Sequence, residues 1–136
     1  MNEQTANPPS GATRTEPSIR VVLMPKDTNA HGTIFGGVIL SYIDQAAAVE
    51  AKQHGASFIV TVAMREVVFL EPVYVGDLVS FYTGLVRIGR TSITVSVEVF
   101  AQRGDASGKI VKVTSAEVTF VNLDENRKPL EIPGNR

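Results

Sequence analysis

The chain has 136 residues and a formal net charge of −1. This length corresponds to one domain with a modest core, and a charge near zero gives no electrostatic basis for binding nucleic acid or an anionic membrane. The absence of cysteine excludes disulfides, thiolate catalysis and cysteine-based zinc sites, and with only His31 and His54 we expect no metal site. No run of about 18 apolar residues and no secretory signal pattern is present, so we expect no transmembrane helix and a cytoplasmic location.

The first segment, residues 1–17, is polar, contains three prolines and lacks a periodic apolar pattern, which predicts a disordered N-terminal tail. We expect a single domain over residues 18–132. It begins with a short β-prone run at residues 18–24, which Pro25 ends. Residues 26–35 are rich in Asp, Thr, Asn and Gly and are expected to form a loop.

One long helix is predicted from Gly36 to about Gln53, with His54 and Gly55 as its stop signal. Its apolar side is made of Val38, Ile39, Tyr42, Ile43, Ala46, Ala47 and Val49. Glu50 falls near the centre of that side. A buried carboxylate is costly, so we expect Glu50 to have a partner such as an arginine or backbone donors.

Four β-rich runs follow the helix, at residues 57–69, 78–88, 93–101 and 110–121. Their short connections favour an antiparallel meander. One helix against a five-stranded antiparallel sheet gives an α+β domain. A single helix leaves much of the sheet and one edge strand uncovered, so we expect two copies to join their sheets in a homodimer. Residues 122–136 are expected to form a surface extension.

The start of the helix carries the clearest chemical signal. Glycines at Gly36 and Gly37 let a carbonyl oxygen approach backbone N–H groups at the positive end of the helix dipole. Asp44 follows seven residues later, and oxyanion donors with a nearby base or nucleophile are the minimal equipment for cleaving an acyl bond. Two alternatives stay open: the glycines could serve only close helix–sheet packing, and Asp44 could be a solvated helix residue.

The segment Asn29–Asp44 reads N-x-H-G-x-I-F-G-G-x-x-L-x-x-x-D. It resembles the acyl-CoA thioesterase branch of the hotdog superfamily and is similar to its YciA-like and cytosolic acyl-CoA hydrolase members. The Pro72–Asp77 turn and the Gly89–Ser92 segment before a Val-rich strand agree with this resemblance. It implies the hotdog fold, hydrolysis of fatty acyl-CoA to free acid and CoA, and a hexamer built as three dimers. CoA is then part of the substrate, and no cofactor is implied.

The resemblance also implies roles for single residues. The family's catalytic helix carboxylate corresponds to Asp44. The backbone N–H that polarises the thioester carbonyl corresponds to Gly36, with Gly37 alongside. The loop asparagine corresponds to Asn29, which would serve the neighbouring subunit's site, although an asparagine here could also be only a turn residue.

Contacts to CoA are expected from basic and hydroxyl side chains. Arg65 lies in an apolar strand and either contacts CoA or pairs with a carboxylate such as Glu66 or Glu98. Arg90, Thr91 and Ser92 follow a glycine at a strand start, where they could hold the phosphates of CoA or form a solvated hairpin.

One position departs from the family pattern. Relatives often have a basic residue where this chain has Glu71, before Pro72. The acidic residue removes a possible contact to the CoA phosphates. The side chains that close the acyl channel are not fixed by the sequence, and Tyr42, Phe69 and Phe81 are the candidates.

Rival functions and rival residues remain. A hotdog domain could bind acyl-CoA without hydrolysing it, and Asp44 would then be dispensable. A dehydratase would need a catalytic histidine beside the helix, which the spacing of His31 and His54 does not offer. Glu50 is the rival catalytic acid, and His31 is a weaker candidate for a base than for local loop hydrogen bonding.

Overall fold

The structure is a computed structural model and describes residues 13–133. Its elements are β1 (Ile19–Val22), α1 (Gly36–Lys52), β2 (Ile59–Arg65), β3 (Leu78–Ile88), β4 (Ser92–Gln102) and β5 (Ile110–Asn122), with a short 3-10 turn at Pro25–Asp27. The predicted elements are confirmed in type and order, with β1 and β2 shorter than predicted. No helix in residues 13–133 is long and apolar enough to cross a membrane.

The five strands form one antiparallel sheet in the order β1-β3-β4-β5-β2, and α1 packs against its central strands β3, β4 and β5. The predicted α+β class, with one helix on a five-stranded antiparallel sheet, is therefore confirmed. The core lies between helix residues such as Ile39 and Ile43 and the inward side chains of β4, such as Val95 and Val97. Alternation along β4 puts every second side chain into this layer.

The buried side of α1 differs from the prediction at one position. Ile39, Ile43, Ala46 and Ala47 are buried as expected, but Val49 is 43% exposed. The buried stripe of the helix runs through Glu50 and Ala51 instead. Val49 therefore lies at the margin of the stripe, in contact with solvent in the single chain.

The predicted meander is wrong for β2. This strand pairs with β5, not with β3. The connection of residues 66–77 therefore leads from β2 at one edge of the sheet to β3, which lies beside β1 near the other edge. Hydrogen bonds hold that connection along its path: the Leu70 N–H donates to the Val113 carbonyl, and the Ile34 N–H donates to the Val73 carbonyl. The connection thereby passes beside the start of α1, which becomes important for the site.

Both ends of the sheet are edges in the single chain. β1 has only four residues, whereas β2 has seven and pairs on one side only. Val62 on β2 is 56% exposed. An exposed apolar edge strand is a surface on which another strand can add.

The chain is anchored on the domain before the predicted start at residue 18. Thr13 is buried, the Arg14 N–H donates to the Thr83 carbonyl, and the Ser18 N–H donates to the Phe81 carbonyl. These contacts extend the edge pairing of β1 along β3, so residues 13–17 are not a disordered tail. The rest of the predicted tail, residues 1–12, lies outside the described residues.

The C-terminal segment is also more than the surface extension predicted for residues 122–136. Ile132 is buried, and its N–H donates to the Arg90 carbonyl. A Cβ added at Gly55 would lie 3.0 Å from the Pro133 carbonyl oxygen, so this segment lies against the end of α1. Its apolar anchor explains why a charged, proline-containing segment stays on the domain. Residues 134–136 lie outside the described range.

Candidate active site

The start of α1 offers free backbone donors. Phe35 is the N-cap and makes no side-chain capping hydrogen bond. The first N–H groups of a helix have no partner inside the helix. Among the described residues, the N–H groups of Gly36 and Gly37 have no hydrogen-bond acceptor. They are therefore available to an oxygen atom of a ligand at the positive end of the helix dipole.

The packing explanation for these glycines is weak in the single chain. A Cβ added at Gly37 would meet no atom within 4 Å, and one added at Gly36 would lie 3.4 Å from the edge of the Phe69 ring. Neither glycine packs against the sheet backbone. Close approach of a ligand accounts for them better than close approach of the sheet.

A cavity of about 320 Å³ opens beside Gly36. Its walls come from the loop before α1, the first turns of the helix and the connection between β2 and β3. The lining residues are Ile34, Gly36, Ile39, Phe69, Leu70, Glu71, Pro72 and Val73. It is a mainly apolar cavity with one charged side chain, of a size that suits a small ligand or part of a larger one.

Phe69 and Phe81, two candidates for the end of the acyl channel, differ in position. Phe81 is fully buried in the core and contacts the Tyr42 ring, with 5.7 Å between the ring centroids. Phe69 lines the cavity beside Gly36. Phe81 therefore belongs to the core, and Phe69 is the aromatic side chain next to the free N–H groups.

Asp44 is half-buried and has one hydrogen-bond partner among residues 13–133. The Thr61 hydroxyl donates to Asp44 Oδ1 at 2.6 Å. Thr61 lies on edge strand β2 at the point where a bulge interrupts pairing with β5. The second carboxylate oxygen, Oδ2, is left for water or substrate.

Sequence reasoning did not single out Thr61 as a site residue. In the sequence, Thr61 is marked only by its hydroxyl and by its place on the strand that follows the helix. Its hydrogen bond to Asp44, 17 residues earlier, depends on tertiary packing. We interpret Thr61 as a positioning residue that fixes the orientation of the Asp44 carboxylate.

Replacing Thr61 by Val is expected to lower kcat by roughly 10-fold, because the isosteric side chain removes the hydroxyl that orients Asp44. Thr61→Ser keeps the hydroxyl and should retain most of the activity. Steady-state kinetics of both variants test this, with KM expected to change less than kcat. Equal rates for Thr61→Val and the wild type would mean that Asp44 is oriented without Thr61.

Asn29 organises the loop before α1. Its Oδ1 accepts the N–H groups of His31 at 2.8 Å and Thr33 at 3.2 Å, and its Nδ2 donates to Thr33 Oγ1 at 2.9 Å. This is the turn geometry expected of asparagine. Its predicted role in a neighbouring subunit's site stays a prediction. His31 takes part in the loop through its backbone, as expected from the sequence.

Arg65 lies away from the cavity. It is opposite Glu117 on β5, and its Nη2 donates to Thr119 Oγ1 at 3.3 Å. The neighbouring β5 residues Val118 and Phe120 are in the core, so Glu117 and Thr119 face away from α1. Arg65 therefore extends over the outer face of the sheet. Its hydrogen bond is to a threonine, so the alternative in which it pairs with Glu66 or Glu98 is not observed.

Arg90, Thr91 and Ser92 lie in the hairpin between β3 and β4. Arg90 forms an exposed ion pair with Glu131 at 3.3 Å, and Ser92 is opposite Val121 on β5. Arg65 is opposite Glu117 on the same strand, four residues before Val121. The residues predicted to contact CoA thus form two separate groups in the single chain, and their binding role stays a prediction.

Glu50, the rival acid, is only 1% exposed and fully engaged. Arg14 donates to both carboxylate oxygens at 2.6 and 2.9 Å, His54 Nε2 lies 2.6 Å from Oε2, and the Thr83 hydroxyl donates to Oε1 at 2.8 Å. The Arg14 guanidinium, with help from His54 and Thr83, lowers the pKa of Glu50 to about 2. The predicted need for a partner is confirmed, and this carboxylate has no free oxygen for acid–base work.

Glu71 lines the cavity and approaches Arg103, with 3.9 Å between Oε1 and Nη2. Arg103 is bound more closely elsewhere: its Nη1 donates to Asp77 Oδ2 at 2.7 Å and to the Pro72 carbonyl at 2.9 Å. The Arg103–Asp77 pair is buried and holds the end of the connection between β2 and β3. In residues 13–133 no three His, Asp or Glu side chains come together as a metal-binding group.

Comparisons with known proteins bear on this geometry. A family model described as the thioesterase superfamily matches residues 31–107. An uncharacterised acyl-CoA thioester hydrolase of Zymomonas mobilis is 43% identical over 118 residues, or 87% of this chain and 78% of that protein. The acyl-CoA thioester hydrolase YciA of Escherichia coli is 38% identical over 117 residues, or 85% of this chain and 89% of that protein.

Among solved structures, a hexameric hotdog fold thioesterase of Campylobacter jejuni superposes with a TM-score of 0.81 at 48% identity. The match covers 86% of this chain and 90% of that chain. These similarities confirm the predicted hotdog fold and the predicted resemblance to YciA-like hydrolases.

Proposed function

This chain belongs to the thioesterase superfamily, and we propose that it hydrolyses fatty acyl-CoA to a free fatty acid and coenzyme A. The observation that carries the proposal is the apolar cavity at the free N–H groups of Gly36 and Gly37. A thioester carbonyl oxygen accepts one of these N–H groups, and the acyl chain occupies the cavity. The relatives are named acyl-CoA thioester hydrolases, which supports the substrate class.

The reaction forms one C–O bond and breaks one C–S bond. Asp44 either removes a proton from the attacking water or attacks the carbonyl carbon itself. The thiolate of CoA leaves and takes up a proton, and the oxygen of water ends in the carboxylic acid. CoA is part of the substrate, and this balance requires no cofactor.

A single chain does not assemble this site. Gly36 and Asp44 lie eight residues apart on the same helix, which corresponds to about 12 Å along its axis. A reacting carbonyl must lie within about 3 Å of the donor and about 3.5 Å of the nucleophile or the water it activates. We therefore propose that Gly36 of one subunit works with Asp44 of a second copy, and that Asn29 contributes across the same interface.

The proposed assembly begins with a homodimer whose sheets join at the exposed edge of β2. This arrangement covers Val62 and the unpaired side of β2, and it lies next to Asp44 through Thr61. The Campylobacter jejuni relative is a hexamer. We propose the same state here, as three dimers, in the cytoplasm, with Arg65 and the Arg90–Ser92 hairpin as contacts to CoA.

The decisive assay follows release of free thiol from acyl-CoAs of graded chain length, with purified protein. We expect release for at least part of the series, with a preferred length. Tight binding without release for any length would instead identify an acyl-CoA-binding module.

Replacing Gly36 by Ala separates the role of the backbone from stability. The helical backbone at Gly36 accepts Ala, so the free energy of unfolding should stay the same or rise by up to about 1 kcal/mol. The kcat/KM should fall by roughly 10-fold or more, because the new methyl group lies where the carbonyl approaches. Gly37→Ala should lower kcat/KM less, because a Cβ at this position meets no atom within 4 Å. Thermal unfolding and thiol release measured on both variants test this, and undiminished activity of Gly36→Ala would argue against the proposed donor.

A further inference from the structure

We propose that Glu71 determines which acyl groups the cavity beside Gly36 accepts. Uncharged acyl chains enter, whereas acyl groups that end in a carboxylate are excluded. The inference rests on the proposed function and names the substrate class of the same site.

The cavity has one charged side chain. Its other lining residues are glycine, proline, aliphatic or aromatic, as in Ile39, Phe69 and Leu70. The Glu71 side chain is only 24% exposed, so water screens its charge incompletely. The acyl chain is the apolar part of an acyl-CoA, and it matches these walls better than the amide-containing arm of CoA does.

Arg103 does not cancel the charge of Glu71. Arg103 is 3% exposed, and its guanidinium is 2.7 Å from Asp77 but 3.9 Å from Glu71. Asp77 and Arg103 form a buried pair of opposite charges, completed by the Tyr74 ring 4.8 Å from the guanidinium carbon. Because Arg103 is one cation for the two carboxylates Glu71 and Asp77, this group carries a net negative charge beside the cavity.

A negative charge at this place acts on the far end of the acyl group. Burying a second carboxylate in an apolar cavity already costs its hydration, and the field of Glu71 adds repulsion between like charges. A neutral chain experiences neither effect. The loss should therefore appear in kcat/KM for acyl groups with a terminal carboxylate.

The experiment compares three acyl-CoAs of equal length: hexanoyl-CoA, 6-hydroxyhexanoyl-CoA and hexanedioyl-CoA. The hydroxyl compound separates polarity from charge. We expect wild-type kcat/KM to be lowest for hexanedioyl-CoA. In Glu71→Gln, the ratio of hexanedioyl-CoA to 6-hydroxyhexanoyl-CoA should rise by about 10-fold, and in Glu71→Lys it should rise further. Glu125→Gln, which removes an exposed carboxylate far from the cavity, should leave the ratio as in the wild type.

The outcomes separate the two proposals. Absence of hydrolysis by wild-type protein for all three compounds and for every chain length of the graded series contradicts the proposed function. Hydrolysis with an unchanged ratio in Glu71→Gln overturns the role of Glu71 alone. An equal change for all three compounds would assign Glu71 to the CoA arm and also overturns it.

Discussion

Asp44→Asn is expected to lower kcat by at least about 100-fold, because a carboxylate that acts as base or nucleophile is replaced by an amide that can do neither. The fold should persist, since the amide oxygen can still accept the Thr61 hydroxyl at the position that Oδ1 occupies. Thiol release under saturating acyl-CoA measures the effect, with circular dichroism and thermal unfolding as checks on structure. Gln45→Ala, an exposed neighbour on α1, should remain close to wild type. Full activity of Asp44→Asn would defeat the assignment.

Mixing two impaired variants tests whether the site is shared between subunits, with the activity of each unmixed variant as the baseline. A heterodimer of Asp44→Asn and Gly36→Ala chains contains one site with both substitutions and one site with neither. If Gly36 and Asp44 act from different copies, as we propose from their separation of about 12 Å on one helix, subunit exchange should restore up to half of the activity per mixed dimer. If both act from one chain, every site carries a substitution and no activity returns.

The regular elements of the fold could be predicted because their signals are local. The period of apolar residues and the glycine after His54 defined α1 to within one residue of its observed end at Lys52. Alternation defined β4 and β5. The partner of β2 could not be predicted in this way, because alternation reports which face is buried and not which strand lies alongside. The path of residues 66–77 across the sheet decided that pairing.

The candidate site was predictable where chemistry depends on sequence spacing. Gly36, Gly37 and Asp44 lie on one helix, and the resemblance to a family gave them roles. Thr61 was not predictable, because its hydrogen bond to Asp44 depends on the tertiary fold, which brings this residue of β2 beside α1. The same reason applies to Arg14, whose polar surroundings in sequence indicated a tail but whose guanidinium binds a buried carboxylate.

That buried carboxylate makes stability depend on acid pH. The pKa of Glu50 is about 2 in the folded chain, against an ordinary value of 4.5. A carboxyl group with a lowered pKa contributes its full stabilisation above pH 4.5, and the contribution disappears as the pH falls from 4.5 towards 2. We expect a loss of about 2 kcal/mol over this range, less than the whole shift implies, because solvent reaches the Arg14 partner, which is 45% exposed.

Glu50→Gln should therefore lower the free energy of unfolding at pH 7 by roughly 3 kcal/mol, since the buried charge that Arg14 and His54 share is removed and both must find water or a weaker partner. Below pH 4.5 the difference from wild type should shrink, because wild-type Glu50 is itself being protonated as the chain unfolds. Urea unfolding at several pH values measures both effects.

Glu131→Gln is the control. It breaks an exposed ion pair with Arg90 and should lower the free energy of unfolding by less than about 1 kcal/mol, with no such pH dependence. Parallel pH profiles for Glu50→Gln and wild type would show that Arg14 and His54 do not stabilise the ionised carboxylate.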